Sequence, residues 1–276
     1  PARYSADVKR RHRWIRGDWQ LLPWLLPWSR TGLQGQAQSG LSALSRWKIV
    51  DNLRRSLEPA ALLSALLWGW LTSASPLLWT LALLGLLLTR PVLDSLLELL
   101  RKTIDVPLAE HLLAALHTSS IYFVRAGLSL AWLPFETLYS LDAICRTLWR
   151  LAVSKRRLLQ WNPSRDDERT SADTLQAFYR EQWVQPGLVL LLVGALAMRP
   201  SVLLLAAPIL ALWLLGPALA WWLSRTRGRS AFAPQAQELR FLHRLARRNW
   251  AFFDRHVGPD ENWLPPDNLP EPPFPS

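Results

Sequence analysis

Two stretches of this chain carry almost no charge. Residues 59 to 89 are 31 positions without one ionisable side chain, 13 of them Leu, and residues 182 to 224 are 43 positions interrupted only by Arg199. A hydrocarbon core about 30 Å thick is crossed by roughly 20 helical residues. Helices buried in a soluble core rarely stay apolar on every face for so long. Both blocks therefore read as membrane segments, and the fold class expected is all-α integral membrane.

Length and charge then suggest a topology. At about 1.5 Å per residue the second block would extend roughly 65 Å, more than twice the core thickness, so it has to turn back. Arg199-Pro200 marks the turn. Arg225, Arg227 and Arg229 at its exit place both its ends in the cytoplasm by the positive-inside rule. Residues 1 to 58 hold 11 basic and 4 acidic side chains, so that flank is expected in the cytoplasm too. A first block with two cytoplasmic flanks also crosses twice, turning near Ser73-Ala74-Ser75-Pro76. The expectation is two transmembrane helical hairpins, about four spans, at 57–90 and 182–224. A single span for the first block and a fifth span near 111–135 remain open.

The remaining segments have the character of membrane-surface pieces. Leu44, Trp47, Val50, Leu53 and Leu57 share one helical face ringed by Arg46, Lys48, Arg54 and Arg55, which suits an interfacial helix feeding the first span. Pro59 fits a first helical turn. Residues 91–181 are expected to be a cytoplasmic region of amphipathic helices, with stripes at Leu93, Leu96, Leu97 and Leu100 and at Leu112, Leu113 and Leu116. It includes the basic Lys155-Arg156-Arg157 triplet and a polar loop at 162–172, followed by a helix capped near Ser171 or Asp173. Residues 225–276 read as a helix, with Leu239, Leu242, Ala246, Trp250, Phe253 and Val257 in helical register, then a Pro-rich linker to a following domain.

Little in the sequence carries catalysis. Cys145 is the single cysteine, so neither a disulfide scaffold nor a cysteine-based zinc site is available. There is no Gly-rich phosphate loop, H-E-x-x-H or G-x-S-x-G, and Asp166, Asp167 and Glu168 fit a solvated loop better than a metal site. The informative run is Lys9-Arg10-Arg11-His12-Arg13-Trp14-Ile15-Arg16-Gly17-Asp18-Trp19-Gln20. Its basic character alone fits a polybasic patch on anionic lipid; no groove-sized basic face suggests nucleic acid. Arginine also offers a fork of donors to diphosphate oxygens, and an indole gives a pyranose ring a flat face to stack on.

Arg10-Arg11-His12-Arg13-Trp14 resembles the Q-x-x-R-W motif of processive glycosyltransferases of the cellulose-synthase type, with Arg10 in place of the Gln. The longer run to Gln20, together with Arg248-Asn249-Trp250, Val257-Gly258-Pro259 and Trp263-Leu264-Pro265-Pro266-Asp267-Asn268, is similar to cyclic β-1,2-glucan synthases, very large bacterial inner-membrane enzymes. That resemblance implies that residues 1–56 close a glycosyltransferase domain. Arg13 would contact the diphosphate of UDP-glucose and Trp14 would stack on the acceptor glucose. Arg10 and His12 would belong to the same pocket, which Asp18 and Trp19 would orient.

The resemblance further implies that the D-x-D ligands for Mg2+ or Mn2+ and the general base lie in a preceding transferase domain, and that a glucoamylase-like domain follows the linker. The chain would then be a membrane module, inactive alone, whose partners are membrane lipids, the glucan acceptor and those flanking domains. Its expected site is the bacterial inner membrane with both termini cytoplasmic. A non-catalytic polytopic scaffold with lipid-binding basic flanks is the alternative.

Overall fold

The computed structural model describes residues 3–25, 41–101, 106–156, 174–225, 235–259 and 262–265, and among these every regular element is a helix. The chain forms two units, Pro1–Arg225 and Thr226–Ser276. In the first, α1 spans Tyr4–Gln20, α2 Ala43–Leu71, α3 Pro76–Leu100, α4 Leu108–Trp149, α5 Leu175–Glu181, α6 Val184–Leu196 and α7 Pro200–Ser224. The second holds α8, Ala236–His256. The polar loop at 162–172, Arg157, Arg227, Arg229 and most of the Pro-rich stretch lie outside the described residues.

Helix starts follow local chemistry. The Ser42 hydroxyl accepts from the Ser45 N–H (3.1 Å) at the head of α2, satisfying one of the donors that the first helical turn leaves unpaired. Pro76 and Pro200 open α3 and α7, where a missing N–H costs nothing. The cap expected near Ser171 or Asp173, both outside the described residues, falls instead on Thr174, whose hydroxyl accepts from the Ala177 N–H (3.3 Å). In α8, Gln235 and Glu238 form a capping box.

Three expectations about breaks are corrected. Pro59 is not in a first turn but in the interior of α2, which runs unbroken from its basic half into its charge-free half. Pro91 likewise lies inside α3, so the stripe Leu93, Leu96, Leu97 and Leu100 extends the same helix. Between 108 and 149 there is one helix of 42 residues rather than several. It contains Pro134, whose lost N–H leaves the Leu130 carbonyl without its usual partner. The Trp213 indole of α7 donates to that carbonyl (2.9 Å), so the helix continues without a buried orphan.

α4 is the element on which the unit is assembled, with α1, α2, α3, α6 and α7 all packing on it. The main core joins Leu63, Leu66 and Trp70 of α2, Leu133 of α4, Leu192 and Leu196 of α6, and Ala206, Ile209 and Trp213 of α7. α3 turns back along α2: Trp70 donates to the Thr80 hydroxyl (3.0 Å), Trp79 donates to the Ala65 carbonyl, and the Trp79 ring covers Gly69 so closely that a Cβ there would collide with it. α7 turns back along α6 through Arg199. The Arg199 guanidinium reaches across to the Leu71 carbonyl at the end of α2 (2.9 Å), pairing one of the carbonyls a helix C-terminus leaves open.

Two described helices, α3 and α7, are long and apolar enough to cross a membrane. α6, with 13 residues, is apolar but shorter, and the charge-free part of α2 from Pro59 to Leu71 is of similar reach, about 20 Å. Of the four crossings expected, two thus have helices of full length. α3 leaves Leu77, Leu78, Leu81 and Leu86 uncovered by protein.

Candidate functional site

The motif-bearing segment folds as α1. Helical spacing puts Tyr4, Val8 and Ile15 on one side, where they meet Phe135 and Tyr139 of α4, and the Tyr4 ring lies 4.1 Å from that of Trp132. The polar residues between then reach fixed partners. Arg11 bonds to Glu136 (3.3 Å) and to Asp7 (2.8 Å). His12 meets Asp142 (2.9 Å). Asn52 of α2 donates to Asp18 (3.2 Å), and the Trp19 indole donates to the Ser56 hydroxyl (2.8 Å).

The six residues singled out by sequence therefore divide between two roles. His12, Asp18 and Trp19 pin α1 to α4 and α2. Arg10, Arg13 and Trp14, at i, i+3 and i+4, share another face of α1. Arg10 is ion-paired with Asp7 and its guanidinium lies 4.8 Å over the Trp14 ring, a cation–π contact that covers one face of the indole. The Trp14 side chain is nonetheless 59% exposed, which leaves room for a second planar or apolar partner.

Beside this face a cavity of about 420 Å³ opens between α1, α2, α3 and α4. Arg11, Trp14, Asp18, Asn52, Arg55 and Glu136 form its polar side, and Leu62, Leu66, Leu83, Leu84, Leu130 and Leu133 its apolar wall. Such a mix of apolar walls and a few convergent polar groups is what ligand sites share. Among the described residues no three His, Cys, Asp or Glu side chains converge to hold a metal ion.

Glu136 dominates the electrostatics. Burial pushes its carboxyl up to about 7, against the pull of Arg11 and reinforced by Asp7 and Glu58. Burial works against the Arg11 cation, yet Tyr139, Glu136 and Asp7 hold its proton more firmly than usual. The Tyr139 phenol is raised by burial and by Glu136. Burial lowers the His12 imidazole despite Asp142, and burial raises Asp18 despite Asn52.

Because the folded protein holds the Glu136 proton more tightly than the unfolded chain, this residue contributes most below its ordinary carboxylate range, and the contribution fades as pH rises towards 7. The shift is worth on the order of 3 kcal/mol. The thermal midpoint in detergent should fall between pH 5 and pH 7, and Glu136→Gln should flatten that fall. An unchanged slope in the variant would place the pH dependence elsewhere.

Sequence reading passed over Glu136, Tyr139, Arg11 and Asn52. One signal was present: Glu136 is the only charged residue between Arg125 and Asp142, an isolated acid in an otherwise apolar run.

A bundle of helices on one long central helix, two of them apolar over a membrane-crossing length, with an Arg/Trp helix docked at the polar side of a leucine-walled cavity, defines a helical module with membrane character. No known family signature matches it. The chain is related over its whole length to the cyclic beta-(1,2)-glucan synthase NdvB of Rhizobium meliloti (strain 1021), with 31% identity over 279 residues that take in 100% of this chain and 10% of that protein. It thus corresponds to about a tenth of its relative's length.

Proposed function

We propose that this chain is the membrane module of a UDP-glucose-dependent cyclic glucan synthase, placed in the bacterial inner membrane with both ends cytoplasmic. Arg13 contacts the donor diphosphate and the open face of Trp14 stacks on the acceptor glucose. Arg10 and His12 flank them, and Asp18 and Trp19 hold the helix that presents them. The catalytic base and the D-x-D carboxylates with their Mg2+ or Mn2+ are supplied by another part of the polypeptide, so the module alone turns over no sugar. A glucoamylase-like domain takes the product on.

The observation that carries this reading is the seating of α1. Its three inward residues lock it against α2 and α4, and the same helix presents arginine and an exposed indole beside a cavity that continues into the apolar helices. The whole-length relation to a glucan synthase supports the chemistry assigned to that surface, and the uncovered leucines of α3 support the membrane setting.

In membranes carrying the full-length enzyme, Arg13→Ala and Trp14→Ala should each lower incorporation of glucose from labelled UDP-glucose by about tenfold or more, as expected for losing a charge-assisted contact or a stacking partner. The amount of enzyme in the membrane should not change. The two losses should combine to less than their sum, because both residues hold one complex. Full synthesis by both variants would overturn the assignment. Reporter fusions at 74 and 199 should report the outside of the cell and one at 160 the inside.

A further inference from the structure

A second cavity, of about 520 Å³, lies between α2, α3 and α4 and shares Glu58, Leu62, Leu87 and Ser129 with the first. The two adjoin along these residues: the first is walled mainly by leucines, and the second combines Leu62, Leu86, Leu87, Pro91 and Ala126 with charged groups. At the mouth of the second stand Arg54, Arg90 and Arg125 with Glu58 and Asp94. Arg90 reaches out from α3 with its side chain 90% exposed and meets Asp94 only at 3.5 Å.

We propose that the two chambers take the two chains of a zwitterionic diacyl phospholipid, its phosphate among Arg54, Arg90 and Arg125 and its ammonium on Glu58. This rests on the membrane setting proposed above. The leucine walls favour hydrocarbon, since the hydroxyls of a sugar would find too few partners there. Two adjoining chambers that share Glu58 match two chains on one head group; an amphiphile with a single chain would fill one and leave the other empty.

The charge at the lip selects the head group. Arg54 is already held by Asp51 (3.0 Å), so the guanidinium groups of Arg90 and Arg125 are the main attraction for a phosphate, for which arginine's fork is well shaped. A purely anionic head group would place its remaining polar end against Glu58 with no cation to offer. A purely cationic one would face three arginines. An ethanolamine head group supplies an anion and a cation at the spacing of neighbouring side chains.

The test uses the full-length enzyme reconstituted in nanodiscs of phosphatidylethanolamine and phosphatidylglycerol at about three to one, re-extracted in mild detergent and assayed for retained lipid by mass spectrometry. Wild type should keep about one phosphatidylethanolamine per chain. Leu87→Trp, which places an indole in the shared wall, should lower that at least fivefold, and the smaller Ser129→Leu should lower it by a lesser factor. Glu58→Gln, at the surface and outside the core, should lose the preference for ethanolamine over glycerol. Retention in wild type no greater than in Leu87→Trp, or phosphatidylglycerol retained in preference, would overturn the proposal. A protein that stays in solution without detergent would instead defeat the membrane reading on which it rests.

Discussion

Arg11→Ala should loosen α1 and do so far more at pH 8 than at pH 5. Glu136 is buried, and Arg11 is its cationic partner at 3.3 Å. Removing that partner leaves a carboxylate in an apolar setting, a change that costs about 3–5 kcal/mol when a pair is fully buried. The Arg11 side chain is 47% exposed, so water already screens part of the attraction and about 2 kcal/mol is the better expectation at pH 8. Arg11 draws this carboxyl down, so without it Glu136 takes up its proton at a higher pH than the intact protein's value of about 7; as pH falls towards 5 the unpaired charge disappears and the deficit should shrink. Thermal unfolding of the detergent-solubilised protein at the two pH values reads this directly. The double variant Arg11→Ala with Glu136→Gln should recover most of the loss at pH 8. A deficit independent of pH, or one the second substitution leaves intact, would mean that Arg11 acts through packing rather than through Glu136.

Gly216→Leu should prevent α7 from seating on α4. A Cβ at Gly216 would stand 2.7 Å from the Ala131 carbonyl oxygen and 2.7 Å from the Gln185 side-chain nitrogen. The second contact involves a flexible side chain, but the first is backbone in the middle of a helix and has little room to give. The crossing is further fixed by two indoles, Trp132 donating to the Gly216 carbonyl (3.0 Å) and Trp213 to the Leu130 carbonyl (2.9 Å). Ala at this position should already cost about 1–3 kcal/mol, the usual range for overpacking. Leu should cost more, and protease sensitivity in mild detergent should rise sharply. Gly194→Ala is the control: nothing lies within 4 Å of its added Cβ, so the substitution should be neutral or stabilise by up to about 1 kcal/mol through helix propensity. Equal effects at the two glycines would show that close approach at Gly216 is not what holds the helices together.

Much of the helical punctuation was legible because it is written in local chemistry. Pro76 and Pro200 open helices at the turns where the charge-free blocks have to reverse. Pro59 misled for the opposite reason. Whether a proline ends a helix is decided by surroundings that spacing does not show: at Pro134 the freed Leu130 carbonyl is taken up by Trp213, far along the chain. The same limit explains the site. Arg10, Arg13 and Trp14 were visible as a run, whereas Glu136, Tyr139 and Asn52 join them only because α4 and α2 pass beside α1. A contact across so many residues leaves no trace in spacing, although a lone acid among apolar neighbours hints that something must meet it.

The Arg199 guanidinium seated on the Leu71 carbonyl binds two bends that lie far apart in sequence into one corner. In the membrane setting proposed above, both reversals would then emerge on the same face of the lipid. The stretch between the two bends would then make an even number of passages, and a tag that surfaces at one bend while the other stays hidden would be geometrically incompatible with this fold.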